Sequence, residues 1–346
     1  MGQVMRITQV MLSKGWGGAE RIYIDLVKGL AEQGVQVQAI MDGRFSKRDQ
    51  LEGIDNVFPA YVRPFSHWDI FAAFKLHDAV SRFSPDVIHC HLSRAALMGG
   101  VAAKKLSVPV VVTTHNNIKL KYCRNINNFL VLTESQRAYL LGNGVNDRAI
   151  DKIPNFSNFE PVVEVVKRDV PVFVAYGRMV PKKGFEDLLR AFQLVVQDQP
   201  DAKLVIGGDG FEKEKLVALV DELALSQQVE FSGWVEDVKE FLAQGSVFVL
   251  PSRDEPFGIV LLEVMASGLP IVTTKTGGAC EILTDQTAFF AELGDPLSLG
   301  QAMLSGLTDT NAWNKAIAAL ALFNQRYRKD SVIPRTIEYY GNMSSH

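Results

Sequence analysis

Short apolar runs alternate with amphipathic stretches along most of the chain, and their order predicts a fold class. Residues 6–12 (RITQVML) make an apolar run of strand length; a glycine-rich turn follows, then a stretch over 19–33 whose apolar residues recur at helical spacing. The pattern returns as strands predicted over 86–91 and 109–114, with a helix over 93–106 between them. Such alternation predicts parallel strands with helices on both faces of the sheet. At 154–171 (PNFSNFEPVVEVVKRDVP) polar residues and prolines break the pattern, which reads as a linker. The unit then starts again, with a strand over 171–176, a loop over 177–183, a helix over 184–197 and a strand over 202–207. The expected class is therefore α/β, with two doubly wound domains able to face one another across a cleft: 1–160, 161–330, and a final segment, 331–346, returning to the first domain.

Composition agrees with two folded domains. The 346 residues are 47% hydrophobic and 22% charged, which excludes disorder and low-complexity architectures. Cys90, Cys123 and Cys280 are odd in number and form no C-x-x-C pair, so neither a disulfide framework nor a cysteine-rich zinc site is expected. No apolar run approaches the ~18 residues of a spanning helix, and the N-terminal stretch has no secretory cleavage pattern. A cytoplasmic protein is expected, with peripheral membrane contact as its closest approach to a bilayer. The net charge of −3 conceals an asymmetry. Residues 1–160 carry 19 Lys+Arg against 14 Asp+Glu, net +5, and the remainder 17 against 25, net −8. A basic half suits an anionic surface or substrate; the excess is too small for nucleic-acid binding.

Candidate chemistry gathers in the loops that follow predicted strands. The first, Lys14 to Arg21 (KGWGGAER), places Gly17 and Gly18 at a helix start, where backbone N–H groups and the helix dipole favour an anion, although the spacing is not that of a dinucleotide fingerprint. In the second half, Gly177 to Gly184 (GRMVPKKG) carries Arg178 and Lys183, two cations suited to a diphosphate. The richest stretch, Asp254 to Pro270, has Glu255 at the mouth of a predicted helix and Glu263 further along it. Eight helical residues advance roughly 12 Å, comparable to the sugar-to-ribose distance of a nucleotide sugar. A third glycine pair, Gly277-Gly278, repeats the helix-start pattern.

Together these segments resemble the retaining glycosyltransferases of family 4. The E-x7-E block corresponds to Glu255–Glu263, the M-A-x-G-x-P run to Met265–Pro270, the G-R-x-x-x-x-K-G loop to 177–184, G-G-x-x-E to Gly277–Glu281, and G-G-A-E to Gly17–Glu20. Val264 stands where the family usually has Ala. The resemblance implies the GT-B fold of two Rossmann-like domains. It implies a donor site of Arg178 and Lys183 on the diphosphate, Glu255 with Phe257, Gly258 and Ile259 at the sugar, Glu263 on the ribose, Trp234 and Val235 near the base, and Gly17 and Gly18 from the first domain. His115, after a predicted strand, corresponds to a histidine near the donor sugar and acceptor, which makes Glu255, His115, Arg178 and Lys183 the expected catalytic set.

The resemblance further implies a nucleotide-diphosphate sugar donor, UDP before GDP, front-face transfer with retention, and a glycan or lipid-linked acceptor such as lipopolysaccharide core. The chain has no D-x-D motif, so neither a metal nor another cofactor is expected. His89 and His91 share one strand face and are read as hydrogen-bonded structural residues rather than zinc ligands. Two mixed basic and aromatic segments, Arg63–Trp68 and Lys119–Arg124, suggest weak contact with an anionic membrane. A sugar-nucleotide epimerase and a non-catalytic sugar-nucleotide-binding module on the same scaffold remain alternatives.

Overall fold

The computed structural model describes residues 4–66, 68–104, 106–167 and 171–344; His67 of the aromatic segment and positions 168–170 of the expected linker lie outside the described residues. The chain divides into one unit of Met1–Asn158 with Arg328–His346 and a second of Phe159–Tyr327.

Among the described residues the first unit contains seven strands: β1 (Arg6–Met11), β2 (Gln36–Asp42), β3 (Val57–Val62), β4 (Val87–His91), β5 (Val110–Thr113), β6 (Asn128–Val131) and β7 (Ile150–Lys152). They pair in parallel in the order β3-β2-β1-β4-β5-β6-β7. Helices α1 (Gly18–Glu32), α2 (Ile70–Phe83), α3 (Leu92–Ala103) and α4 (Glu134–Gly142) connect them. Strand periodicity sorts the side chains between two cores. Ile7, Met11, Val87 and Val111 pack with Tyr23, Val27 and Leu30 of α1, whereas Val10, Ile88, Cys90 and Val112 pack with Leu76 and Val80 of α2 and Ala95 and Met98 of α3. By the same alternation Gln9, His89, His91 and Thr113 face the α1 side. Asp69 caps α2 by accepting the Ala72 N–H at 3.0 Å. Burial of Ala72, Leu76, Val80 and Phe83 leaves Ile70, Phe71 and Phe74 exposed on the opposite side of that helix.

The second unit repeats the plan with β8 (Val172–Tyr176), β9 (Lys203–Gly207), β10 (Val229–Gly233), β11 (Val247–Leu250), β12 (Ile271–Thr274) and β13 (Phe289–Ala291). All pairs are parallel, in the order β10-β9-β8-β11-β12-β13. Its helices are α5 (Phe185–Asp198), α6 (Lys213–Glu222), α7 (Val238–Ala243), α8 (Ile259–Ser267), α9 (Gly277–Ile282), α10 (Pro296–Thr308) and α11 (Ala312–Arg326). Phe173, Ala175, Leu204, Ile206, Val247 and Val249 bury against Leu188, Phe192 and Val195 of α5 and Leu299 and Met303 of α10. The chain then returns to the first unit as α12 (Lys329–Ser344). There Lys329 pairs with Glu32 of α1 at 2.6 Å, and Ile333 packs on Gly29, where a Cβ would come within 2.8 Å of the Ile333 Cδ1.

Candidate donor site and a buried histidine chain

In each sheet the strand order reverses once, between β1 and β4 in the first and between β8 and β11 in the second. Loops leaving such adjacent strands diverge and open a crevice at the carboxyl ends, which is where doubly wound sheets bind ligands. In the second unit those two loops are 177–184 and 251–258, the segments that carry Arg178, Lys183 and Glu255.

Backbone contacts join the two loops, and further contacts anchor the second one. The Arg253 and Asp254 N–H groups both donate to the Lys182 carbonyl, at 2.8 and 3.3 Å. Gly184 caps α5 in the left-handed region, at φ +69°, and a Cβ there would lie 2.0 Å from the Pro251 carbonyl oxygen, so only glycine fits. Arg253 adds a two-pronged contact to Asp187 on α5, Nε to Oδ2 at 2.7 Å and Nη2 to Oδ1 at 2.6 Å. On the far side the Gly278 N–H donates to the Glu255 carbonyl at 2.9 Å. A Cβ at Gly278 would fall 2.5 Å from both the Glu255 and Phe257 carbonyl oxygens. The Gly277-Gly278 pair, expected to leave N–H groups for an anion, therefore spends the Gly278 donor on seating the Glu255 loop.

The stitching brings Lys183 and Glu255 into contact, with Nζ donating to Oε2; the two side chains are 20% and 12% exposed. Glu255 lies in the loop before α8, not on the helix, because Gly258 at φ +93° caps α8 and Ile259 begins it. The expected 12 Å helical spacing of the two glutamates does not apply, since only Glu263 is helical. Glu263 is buried and accepts a hydrogen bond from the Tyr176 hydroxyl at the end of β8. Phe257 and Gly258 are buried beneath the loop, Ile259 is half-buried and Arg178 projects outward. Beyond β10, Trp234 is exposed, while Val235 closes over Gly207, where a Cβ would meet its Cγ2 at 2.3 Å. Sequence reasoning missed Tyr176, Asp187 and Arg253; Tyr176 alone carried a signal, as the last residue of a strand feeding a cationic loop.

Gly17, Gly18 and His115 belong to the first unit. Gly17 caps α1, accepting the Arg21 N–H at 3.0 Å, and Gly18 opens the helix. His115 follows β5 and is buried, with its Nε2 3.0 Å from His91 Nδ1. His91 Nε2 lies 2.8 Å from the Gln9 carbonyl oxygen, and the Gln9 amide donates to the Tyr340 hydroxyl at 2.9 Å. That hydroxyl is 2.6 Å from His89 Nδ1, whose Nε2 is 2.7 Å from the Thr113 hydroxyl. Burial drives all three imidazoles toward the neutral form, His115 down to about 4, His89 to about 3 and His91 well below its usual value. His89 and His91 are hydrogen-bonded, as expected of them from their shared strand face. Among the described residues no three His, Cys, Asp or Glu side chains are grouped to hold a metal ion.

Two parallel-sheet Rossmann-like units, each with its switch point, are the units of the GT-B architecture, and comparison with known proteins identifies the class as glycosyltransferase. The model described as glycosyl transferases group 1 matches residues 157–319, and the one described as glycosyltransferase family 4 matches residues 16–160. The chain belongs to glycosyltransferase family 4. It is 32% identical over 317 residues to the lipopolysaccharide core biosynthesis glycosyltransferase LpsE of Rhizobium meliloti, covering 89% of this chain and 90% of that one. Identity to LpsD of the same organism is 30% over 310 residues, 88% of each chain. Among solved structures, Anabaena HepE in complex with UDP and glucose superposes with a TM-score of 0.82 at 20% identity, covering 98% of this chain and 100% of that one. A glycosyltransferase from Rickettsia africae superposes with a TM-score of 0.86 at 19% identity, covering 99% of each chain. These two likenesses show the fold.

Proposed function

We propose that this glycosyltransferase moves a sugar from a UDP-sugar to a hydroxyl of lipopolysaccharide core or another cell-envelope glycan, with retention and without a metal. The observation that carries the reading is the Lys183–Glu255 contact at the switch point of the second sheet, with Tyr176 holding Glu263 close by along the same strand end. In this reading the donor diphosphate takes Lys183 away from Glu255, and Arg178 supplies a second cation from the same loop. Charge building on the leaving diphosphate is then met by fixed cations, a role a divalent metal fills elsewhere. Glu255, freed, accepts hydrogen bonds from sugar hydroxyls, and Glu263 accepts them from the ribose. Trp234 offers its exposed ring to the base. The second unit binds the donor, and His115 of the first serves the acceptor side. No protein nucleophile is assigned, and retention follows from attack on the face the diphosphate leaves. The UDP found with Anabaena HepE supports UDP over GDP, and LpsD and LpsE support a lipopolysaccharide acceptor.

A lipid-linked acceptor agrees with the first unit's surface. Trp68, Phe71 and Phe74 are 61%, 82% and 64% exposed around the start of α2, more aromatic surface than a solvated helix needs. The basic segment expected to share this task, Lys119–Arg124, forms a short 3₁₀ turn, with the Lys121 ammonium 5.0 Å above the Tyr122 ring centroid. We assign membrane contact chiefly to the α2 aromatics, with the cations adding attraction to anionic headgroups.

The test is consumption of a panel of UDP-glucose, UDP-galactose, UDP-N-acetylglucosamine and GDP-mannose with lipopolysaccharide core as acceptor, with and without EDTA, and assignment of the product anomer by NMR. One UDP-sugar should be consumed in both conditions, giving a product of unchanged anomeric configuration. An inverted product, or loss of turnover in EDTA that added metal restores, contradicts the mechanism. A new sugar nucleotide formed without acceptor is the epimerase outcome.

A further inference from the structure

The face of the first sheet that α12 covers carries a row of polar side chains, where a parallel α/β core is ordinarily apolar. Gln9, His89, His91 and Tyr340 are at most 1% exposed, and Thr113 and His115 are 6% and 7% exposed. Their contacts form one unbranched series: His115, His91, Gln9, Tyr340, His89, Thr113. Six buried polar groups from three strands, a loop and the C-terminal helix are costly to assemble, and the cost is recovered only if each is satisfied.

The direction of the series follows from one amide. Gln9 donates through Nε2 to the Tyr340 hydroxyl, so its carbonyl oxygen faces His91 and can only accept. His91 Nε2 must then carry the proton. A neutral imidazole has a single N–H, so His91 Nδ1 is bare and accepts from His115 Nε2. The Tyr340 hydroxyl, already accepting from Gln9, gives its own proton to His89 Nδ1, and His89 Nε2 donates to Thr113. Every bond points the same way. Turning the Gln9 amide over would reverse all of them, since each imidazole passes on the polarity it receives.

We propose that Gln9, His91 and Tyr340 are positioning residues that hold His115 with its proton on Nε2, leaving Nδ1 as a hydrogen-bond acceptor for a hydroxyl at the reaction site. The assignment rests on His115 serving the acceptor side, as proposed above. The C-terminal helix thereby acts on the chemistry through a single hydroxyl, without touching substrate. His115 is a ring of fixed tautomer rather than one that chooses its proton on binding, which removes a reorganisation step from catalysis.

Nitrogen-15 NMR of histidine-labelled protein reads the tautomer directly, because the bare and protonated nitrogens of a neutral imidazole have widely separated shifts; His115→Gln assigns the signal. The unmodified protein should show His115 protonated at Nε2 and bare at Nδ1. The opposite tautomer overturns the proposal. In Tyr340→Phe the Gln9 amide loses the partner that fixes its orientation, so His115 should show both tautomers, and retention of a single unchanged tautomer also overturns it. With UDP-glucose hydrolysis by water as the rate probe, Tyr340→Phe should lower kcat about tenfold, the worth of one hydrogen bond, at unchanged KM. Mixed tautomers with full kcat would uphold the hydrogen-bond series and instead refute the catalytic placement of His115. Should Tyr340→Phe fold poorly, Gln9→Met gives the same reading, because His91 then loses the carbonyl oxygen that fixes its proton on Nε2.

Discussion

Replacing Lys183 with Ala separates catalysis from folding, because the same ammonium is assigned to the donor diphosphate and to Glu255. Its contact with Glu255 is partly open to solvent, with side chains 20% and 12% exposed. A pair in that setting adds little to stability, about 1 kcal/mol or less once solvent screening is counted. For a unit spanning Phe159–Tyr327 that corresponds to a fall in Tm of no more than about 4 °C. The catalytic loss is larger, because one fixed donor at a developing anion is worth about 3 kcal/mol of barrier, or roughly 150-fold in rate. The assay pairs initial rates of UDP release from UDP-glucose with thermal unfolding of the same preparations. Lys183→Ala should lose about two orders of magnitude in rate with a small Tm shift, and Lys183→Arg should recover part of the rate. A rate within threefold of the unmodified enzyme would refute the assignment. A large fall in Tm that Glu255→Gln then reverses would show that the contact serves the fold.

Removing one carboxylate at a time distinguishes the sugar and ribose ends. Glu263→Gln should weaken binding of free UDP about tenfold, while Glu255→Gln should leave UDP affinity nearly intact and slow turnover of the sugar; isothermal titration with UDP that gave the reverse order would exchange the roles. Acid should destabilise the first unit, since burial holds His115 near 4 and His89 near 3 while an unfolded imidazole protonates near 6.5. The unfolded chain takes up these protons first, so the contribution is complete above about pH 6.5 and is lost as pH falls toward 4, about 3 kcal/mol for His115 alone. Urea unfolding at pH 6.5 and 4.5 should show a shallower loss in His115→Gln, and an identical slope would refute it. Gly184→Ala, which combines a left-handed backbone with a clash against the Pro251 carbonyl, should lower stability by about 3 kcal/mol and displace Lys183; a variant of normal Tm and rate would show that the loops do not depend on that close approach.

The fold was legible because its signal is local. Apolar runs such as Ile7–Leu12 and Val247–Leu250 alternate with amphipathic helices, and in a doubly wound sheet that order fixes the layers. The site was legible one loop at a time. Arg178, Lys183 and Glu255 stood out as charged residues in loops after strands and Glu263 as a carboxylate on the following helix, but no sequence spacing says that Lys183 meets Glu255, 72 positions away. That meeting depends on strand order, with β8 beside β11, and on the Lys182 carbonyl gathering two N–H groups from 253–254. The 12 Å helical spacing failed because Gly258 delays the helix until after Glu255. The seating of the Glu255 loop by Gly278 was not legible, because close backbone packing and anion binding call for the same residue. The hydrogen-bond series ending at His115 was least legible, since Gln9 and Tyr340 lie 331 positions apart and only a helix returning across the sheet unites them.

The most direct test of the account is a crystal structure of the protein with UDP bound. In the free protein Lys183 Nζ donates to Glu255. The account predicts that with UDP the Lys183 ammonium leaves Glu255 and lies within hydrogen-bonding distance of the diphosphate, with Arg178 on its other side and Glu263 accepting from the ribose hydroxyls. UDP bound elsewhere, or bound here with the Lys183–Glu255 contact undisturbed, would contradict it.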